Sequence, residues 1–137
     1  MSWTGISVLC LAAIAVIVLI LNRSRSGGND ISQSQLVEWK KQEPELCILD
    51  VRSADEYNSG HITGSINISH KEIFARLDEL MPYKDRKVVV YCEGGIRARV
   101  AQIALVKAGF TNVFHLTGDM HAWRQAGLPI NTPGART

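Results

Sequence analysis

The chain has 137 residues, 46% hydrophobic and 20% charged, with 11 Gly, 4 Pro and 3 Cys. That length holds one ordinary domain, and the composition excludes a disordered, collagen-like or disulfide-scaffold protein. The formal net charge of +2 is shared evenly between the first 30 residues and the rest, so there is no clustered basic surface and no nucleic-acid partner is expected.

The run from Trp3 to Leu21 carries no charged side chain. As a helix its nineteen residues would rise about 28 Å, close to the roughly 30 Å hydrocarbon thickness of a bilayer. Arg23 and Arg25 follow the run, and no small-x-small cleavage site does, so the pattern reads as an uncleaved anchor and not as a signal peptide. The expectation is one transmembrane helix over residues 1–23. A linker over 24–30 then leads to a domain over 31–137, which the positive-inside rule places on the cytoplasmic side.

Beyond the linker, strand-length apolar runs alternate with helical stretches. Ser32 to Gln35 has capping-box spacing and opens a helix through Leu36, Val37 and Trp39. Leu46 to Asp50 reads as a short strand. Ser53 and Glu56 form a second capping box before a helix that stops at Gly60, and Ser65 to Ile68 reads as a short strand. Ser69 to Glu72 has the same spacing, with Ile73, Phe74, Leu77 and Leu80 continuing at helical intervals up to Pro82. Lys87 to Tyr91 is the clearest strand, apolar on both faces as a central parallel strand should be. A helix over Ile96 to Lys107, apolar at Val100, Ile103, Ala104 and near Val106, closes at Gly109. Val113 to Leu116 and Met120 to Gln125 read as a last strand and helix. Such alternation means an α/β fold with a mainly parallel sheet, whose ligands bind beyond the carboxyl ends of strands.

The loop after the central strand, Cys92-Glu-Gly-Gly-Ile-Arg97, concentrates the chemistry. Two glycines let successive N–H groups curl around one point, and the following helix directs its N-terminus there. Arg97 and Arg99 add positive charge. A thiol in that cradle is expected to ionise below its free value and act as a nucleophile. Cys10, in the apolar run, and Cys47, inside a strand, are expected to be inert. Three unpaired cysteines fit a reducing compartment. None of the four histidines shows ligand spacing, so no metal is expected.

Leu49-Asp-Val-Arg52, Glu56-Tyr57, Gly60 to Asn67, Val89 to Arg97, Ala108 to Val113, Leu116-Thr-Gly118 and Ala122-Trp123 follow one another as the motifs of a rhodanese domain do. Residues 31–131 resemble that family. The resemblance implies a five-stranded parallel sheet flanked by helices, and a single active-site cysteine that cycles through a persulfide. Carried over position by position, Cys92 matches the sulfur carrier. Glu93, Gly94, Gly95, Ile96 and Arg97 match the substrate-binding loop, with Gly95 at the family's glycine and Arg97 at its closing cation. The implied activity is that of a membrane-anchored sulfurtransferase. It would move a sulfane sulfur from thiosulfate or a persulfide donor to a thiol acceptor, small or protein-borne, with no cofactor. The competing readings are a non-enzymatic sulfur-relay or binding module and, further off, a phosphatase or arsenate reductase. Those relatives have Cys-x5-Arg loops, whereas Arg97 stands at Cys-x4-Arg.

Two positions depart from the family pattern. Glu93 occupies a place often basic in thiosulfate-using members, and a carboxylate there disfavours a dianionic donor. Asp119 replaces the second of two glycines before the last helix, and reads as an N-cap. Asp50 and Arg52 read as a structural ion pair beside the loop, and His61 as a hydrogen-bonding residue without a catalytic role.

Overall fold

The structure, a computed structural model, describes residues 8–17 and 29–133. Its centre is the strand of highest β-propensity in the sequence, Lys87–Tyr91 (β5). β5 lies between Cys47–Asp50 (β2) and Asn112–Leu116 (β6), with Asn29–Ile31 (β1) outside β6 and Ile66–Asn67 (β4) outside β2. All four pairings are parallel, giving a five-stranded sheet in the order β1-β6-β5-β2-β4. Parallel neighbours require crossovers, and helices cover both faces of the sheet. The period of two along β5 divides the core. Val88, Val90 and Cys92 join Leu49, Ala98, Ala101 and Leu105 on one face, while Val89 and Tyr91 join Leu36, Leu116, Met120 and Trp123 on the other.

The helices start where the capping residues stand. Gln33–Gln42 (α2) is capped by Ser32 Oγ, which accepts the Gln35 N–H at 3.1 Å. Ala54–Asn58 (α3) has the complete reciprocal box between Ser53 and Glu56. Ile96–Lys107 (α4) ends before Gly109, whose φ of 92° lets the chain turn back to β6. Asp119–Gln125 (α5) buries Trp123 against the sheet and is followed by Gly127. A separate antiparallel pair, His61–Ile62 (β3) with Ile130–Asn131 (β7), ties the chain after α5 to the middle of the domain.

Three local expectations are corrected. The stretch from Ser69 to Pro82 forms no α-helix. After an i+3 bond from the Glu72 N–H to the Ser69 carbonyl and a single i+4 bond from the Arg76 N–H to the Glu72 carbonyl, it winds into two 3₁₀ segments, Leu77–Glu79 and Met81–Tyr83, with Pro82 inside the second. Ser69 makes no side-chain cap there, and the His70 N–H is drawn instead to the Val51 carbonyl. On α4 the buried positions are Ala98, Ala101, Gln102 and Leu105, whereas Val100, Ile103 and Val106 face outward. The helix presents its small residues to the sheet because they permit close approach, and the larger apolar side chains are left outside. Asn29 and Asp30, read as tether, belong to β1.

The membrane expectation is also corrected. Residues 8–17 are helical and exposed (α1). Among the described residues no helix is long and apolar enough to cross a membrane. The single-pass localisation with a cytoplasmic catalytic domain is therefore set aside. Residues 1–7 and 18–28, on which the rest of the anchor and most of the linker reading fall, lie outside the described residues.

The two faces of α4 give a direct test. Leu105→Ala is expected to lower unfolding free energy by about 2 to 5 kcal/mol in urea denaturation. Ile103→Ala, at a side chain 57% exposed, should cost under about 1 kcal/mol.

Candidate active site

β5 delivers Cys92 to the carboxyl edge of the sheet, where the thiol is 1% exposed. The next three residues turn the chain into α4. Gly95 makes this possible with φ 113°, a value that L side chains rarely adopt. Its N–H points back and donates to Cys92 Sγ at 2.9 Å. The sulfur therefore sits at the N-terminus of a twelve-residue helix, where unpaired amides and the helix dipole favour negative charge. Glu93, Gly94, Gly95, Ile96 and Arg97 form one contiguous rim around it. Gly94 and Ile96 face outward, and Gly95 is buried.

The arginines at this rim are all paired. Arg97 donates to Glu56 through Nη1 at 2.6 Å and Nη2 at 2.9 Å. That bond holds the Glu56 carboxyl down at about 2, and the same contact, with Cys92 beside it, raises the Arg97 guanidinium above its ordinary range. Arg52 is fully buried. It donates Nε and Nη2 to Asp50, the latter at 2.7 Å, and Nη2 also reaches the Gly60 carbonyl at 2.8 Å. This bears out the structural ion pair read from the sequence. The Nη1 of Arg52 lies 3.5 Å from Glu93, which Arg124 grips with both guanidinium nitrogens, Nη2 at 2.9 Å and Nη1 on the second oxygen. The Arg124 bond, with Arg52 adding to it, keeps the Glu93 carboxyl below the usual carboxylate range. Glu93 thus bridges two arginines at the mouth and is no isolated negative charge. Arg99 turns away to Asp30 at 2.8 Å and adds nothing to the cradle.

Beneath the loop lies a group the sequence reading assigned otherwise. Asp119 is not an N-cap. Gly118 holds that position, and Asp119 is the first helical residue, with φ 53°. Its side chain turns inward to accept the Cys92 N–H at 2.9 Å and to meet His115 Nε2 at 2.9 and 3.0 Å. Residue type at 115 and 119, four apart across a strand end, was the available signal. Glu56 and Arg124 were missed as site residues because their partners lie 41 and 31 positions away.

The remaining candidates separate clearly. Cys47 is buried, and burial pushes its thiol up to about 12, as an inert role requires. Cys10 is exposed on α1. His61 Nδ1–H donates to the Tyr57 carbonyl at 2.8 Å and its ring stacks on Tyr57 at 3.6 Å, a structural role. Among the described residues, no group of His, Cys, Asp and Glu is arranged to hold a metal ion.

Comparison with known proteins identifies the family. Residues 32–126 match the family model described as "Rhodanese-like domain", and the chain belongs to that family. It is 32% identical over 118 residues to the uncharacterized protein YibN of Escherichia coli, covering 85% of this chain and 82% of that one. It is 34% identical over 106 residues to a tRNA uridine(34) hydroxylase of Buchnera aphidicola, covering 72% of this chain and 33% of that protein. The chain thus spans about a third of the length of the hydroxylases it matches. Among solved structures it superposes on a thiosulfate sulfurtransferase from Pseudomonas aeruginosa with a TM-score of 0.70 and 25% identity, covering 76% of this chain and 20% of that one.

The Glu56–Arg97 pair sets a pH dependence. A carboxyl held at about 2 in the folded state, against an ordinary 4.5, contributes stability above pH 4.5 that is lost as pH falls from there toward 2. Arg97→Gln should flatten that acid limb of the denaturation curve while leaving the neutral and alkaline region nearly parallel to the parent, as measured by urea denaturation at a series of pH values.

Proposed function

We propose that this protein is a sulfurtransferase in which Cys92 carries the sulfur. The observation that carries the reading is the Gly95 N–H donated to Cys92 Sγ at 2.9 Å, at the N-terminus of α4. The Cys92 thiolate attacks the sulfane sulfur of a donor. The donor's sulfur–sulfur bond breaks, its remainder leaves as a thiolate or sulfite, and Cys92 becomes a persulfide. The thiolate of an acceptor then attacks the outer sulfur and releases Cys92 unchanged. Both steps are displacements at sulfur, so no outside oxidant or reductant enters. The cradle amides stabilise negative charge on the sulfur in each. Arg97, locked by Glu56, closes the cradle with four residues between it and the cysteine. A loop that short suits one transferred sulfur better than a tetrahedral oxyanion, which sets the phosphatase reading aside. The name of the structural neighbour, a thiosulfate sulfurtransferase, supports the reaction class. The hydroxylation named for the longer relatives forms no part of the proposal.

The paired arginines at the mouth favour a donor of low charge. Each is already neutralised by a carboxylate, Arg52 by Asp50, Arg97 by Glu56 and Arg124 by Glu93, so none is left free to attract a dianion. A unit charge about 6 Å away through an effective dielectric of about 20 is worth roughly 3 kcal/mol before screening, and a dianion feels it twice over. The expected donor is a small or protein-borne persulfide, with thiosulfate a poor substitute.

Two outcomes check this. Treatment with a persulfide donor should add the mass of one sulfur atom, removable by thiol, to the parent and to Cys47→Ser but not to Cys92→Ser. A retained, thiol-removable adduct in Cys92→Ser contradicts the assignment. In steady-state assays Glu93→Gln, which leaves Arg124 without its carboxylate, should lower the KM for thiosulfate about tenfold, equivalent to about 1.4 kcal/mol, with a smaller change for a neutral persulfide donor.

A further inference from the structure

The main chain at Cys92 is held by one short segment of α5. Asp119 Oδ1 accepts the Cys92 N–H at 2.9 Å, the Met120 N–H donates to the Cys92 carbonyl at 2.9 Å, and the His121 N–H reaches the Glu93 carbonyl at 3.3 Å. The first contact is the unusual one. Asp119 is 2% exposed and stands in a left-handed backbone conformation that glycine would adopt more easily. A buried carboxylate needs a partner, and here it is His115, whose Nε2 meets both oxygens. His115 Nδ1 is buried without a hydrogen bond, 3.5 Å from Asp30, which Arg99 holds in turn. Gly95 lies directly over the carboxylate, so close that a Cβ on it would come 3.0 Å from Asp119 Oδ2.

We propose that Asp119 and His115 are positioning residues for Cys92. His115 fixes the Asp119 carboxylate, and the carboxylate fixes the Cys92 amide on the side away from the cradle. The sulfur is left facing the Gly95 N–H. Without the carboxylate, the Cys92 N–H is a buried donor beyond the end of β5 with no other partner among the described residues, and the start of the loop is free to turn. The inference rests on the reading that Cys92 carries the sulfur, but its geometry is that of the loop alone.

Three variants, each read in two ways, form the test. Asp119→Asn keeps an oxygen for the Cys92 N–H and offers an N–H to the other tautomer of His115. Asp119→Gly suits the left-handed backbone and removes the acceptor. His115→Leu leaves Asp119 buried without its donor. With a small persulfide donor, kcat should fall at least about tenfold in Asp119→Gly while KM stays within about threefold. Asp119→Asn should stay within about threefold of the parent in both constants, and His115→Leu should lose kcat severalfold. The melting temperature of Asp119→Gly should remain within about 3 °C of the parent. Hydrogen exchange at the Cys92 amide, which requires no sulfur chemistry, should be slow in the parent and in Asp119→Asn and at least about tenfold faster in Asp119→Gly. If the parent turns over no sulfur donor, the function is wrong and exchange alone decides the inference. Parent-like exchange in Asp119→Gly overturns it. So does an Asp119→Asn variant as impaired as Asp119→Gly, or a loss of activity that only tracks a fall in melting temperature.

Discussion

A buried thiol at the end of a buried strand sets a condition that much of this fold serves. The backbone at Cys92 has left the sheet, yet its N–H and C=O remain out of reach of water, so both need partners from elsewhere in the chain. They are found in residues 119 and 120, at the start of α5. The same loop must also bring the Gly95 amide back onto the sulfur. Seating β5 at the centre of a parallel sheet puts the N-termini of α4 and α5 at one edge, where they meet these two demands together.

The charges around the mouth follow a second rule, that arginine and carboxylate occur in pairs. Arg52 with Asp50, Arg97 with Glu56 and Arg124 with Glu93 surround Cys92. The buried Arg52 pair is the strongest constraint, because removing either partner leaves a charge with no solvent. The outer pairs are partly exposed and contribute less to stability. Their effect is on the local potential, which they hold near neutral beside Cys92. Under the proposed function, that balance is what would favour a weakly charged persulfide over a dianion.

Much of this was legible in the sequence where the signal is local. The N-cap at Ser32, the capping box at Ser53, the apolar run of β5, and a cysteine followed by two glycines and a helix all act within a few residues, and each appears where the sequence places it, although at Ser32 Gln35 does not complete the box. The family match extends that reading across the domain. What was misread depends on tertiary context. The helical spacing after Ser69 lost to the pull of the Val51 carbonyl and to Pro82. The inner face of α4 was decided by how closely the helix could approach the sheet, which favours Ala98 and Ala101 over the larger Val100 and Ile103. Asp119 carries the signature of an N-cap, but the left-handed turn at residues 118 and 119 aims its side chain inward at Cys92. The apolar N-terminal run was judged by length and hydropathy, whereas among the described residues no helix is long and apolar enough to cross a membrane.

The central claim is that sulfur passes through Cys92 and no other cysteine. Peptide mapping by mass spectrometry, on unaltered protein treated with a limiting persulfide donor and trapped by alkylation, addresses it most directly. The account predicts the additional sulfur on the peptide containing Cys92, with Cys10 and Cys47 unmodified. Sulfur found first on Cys10 or Cys47, or an unmodified Cys92 in protein that has consumed the donor, would contradict it.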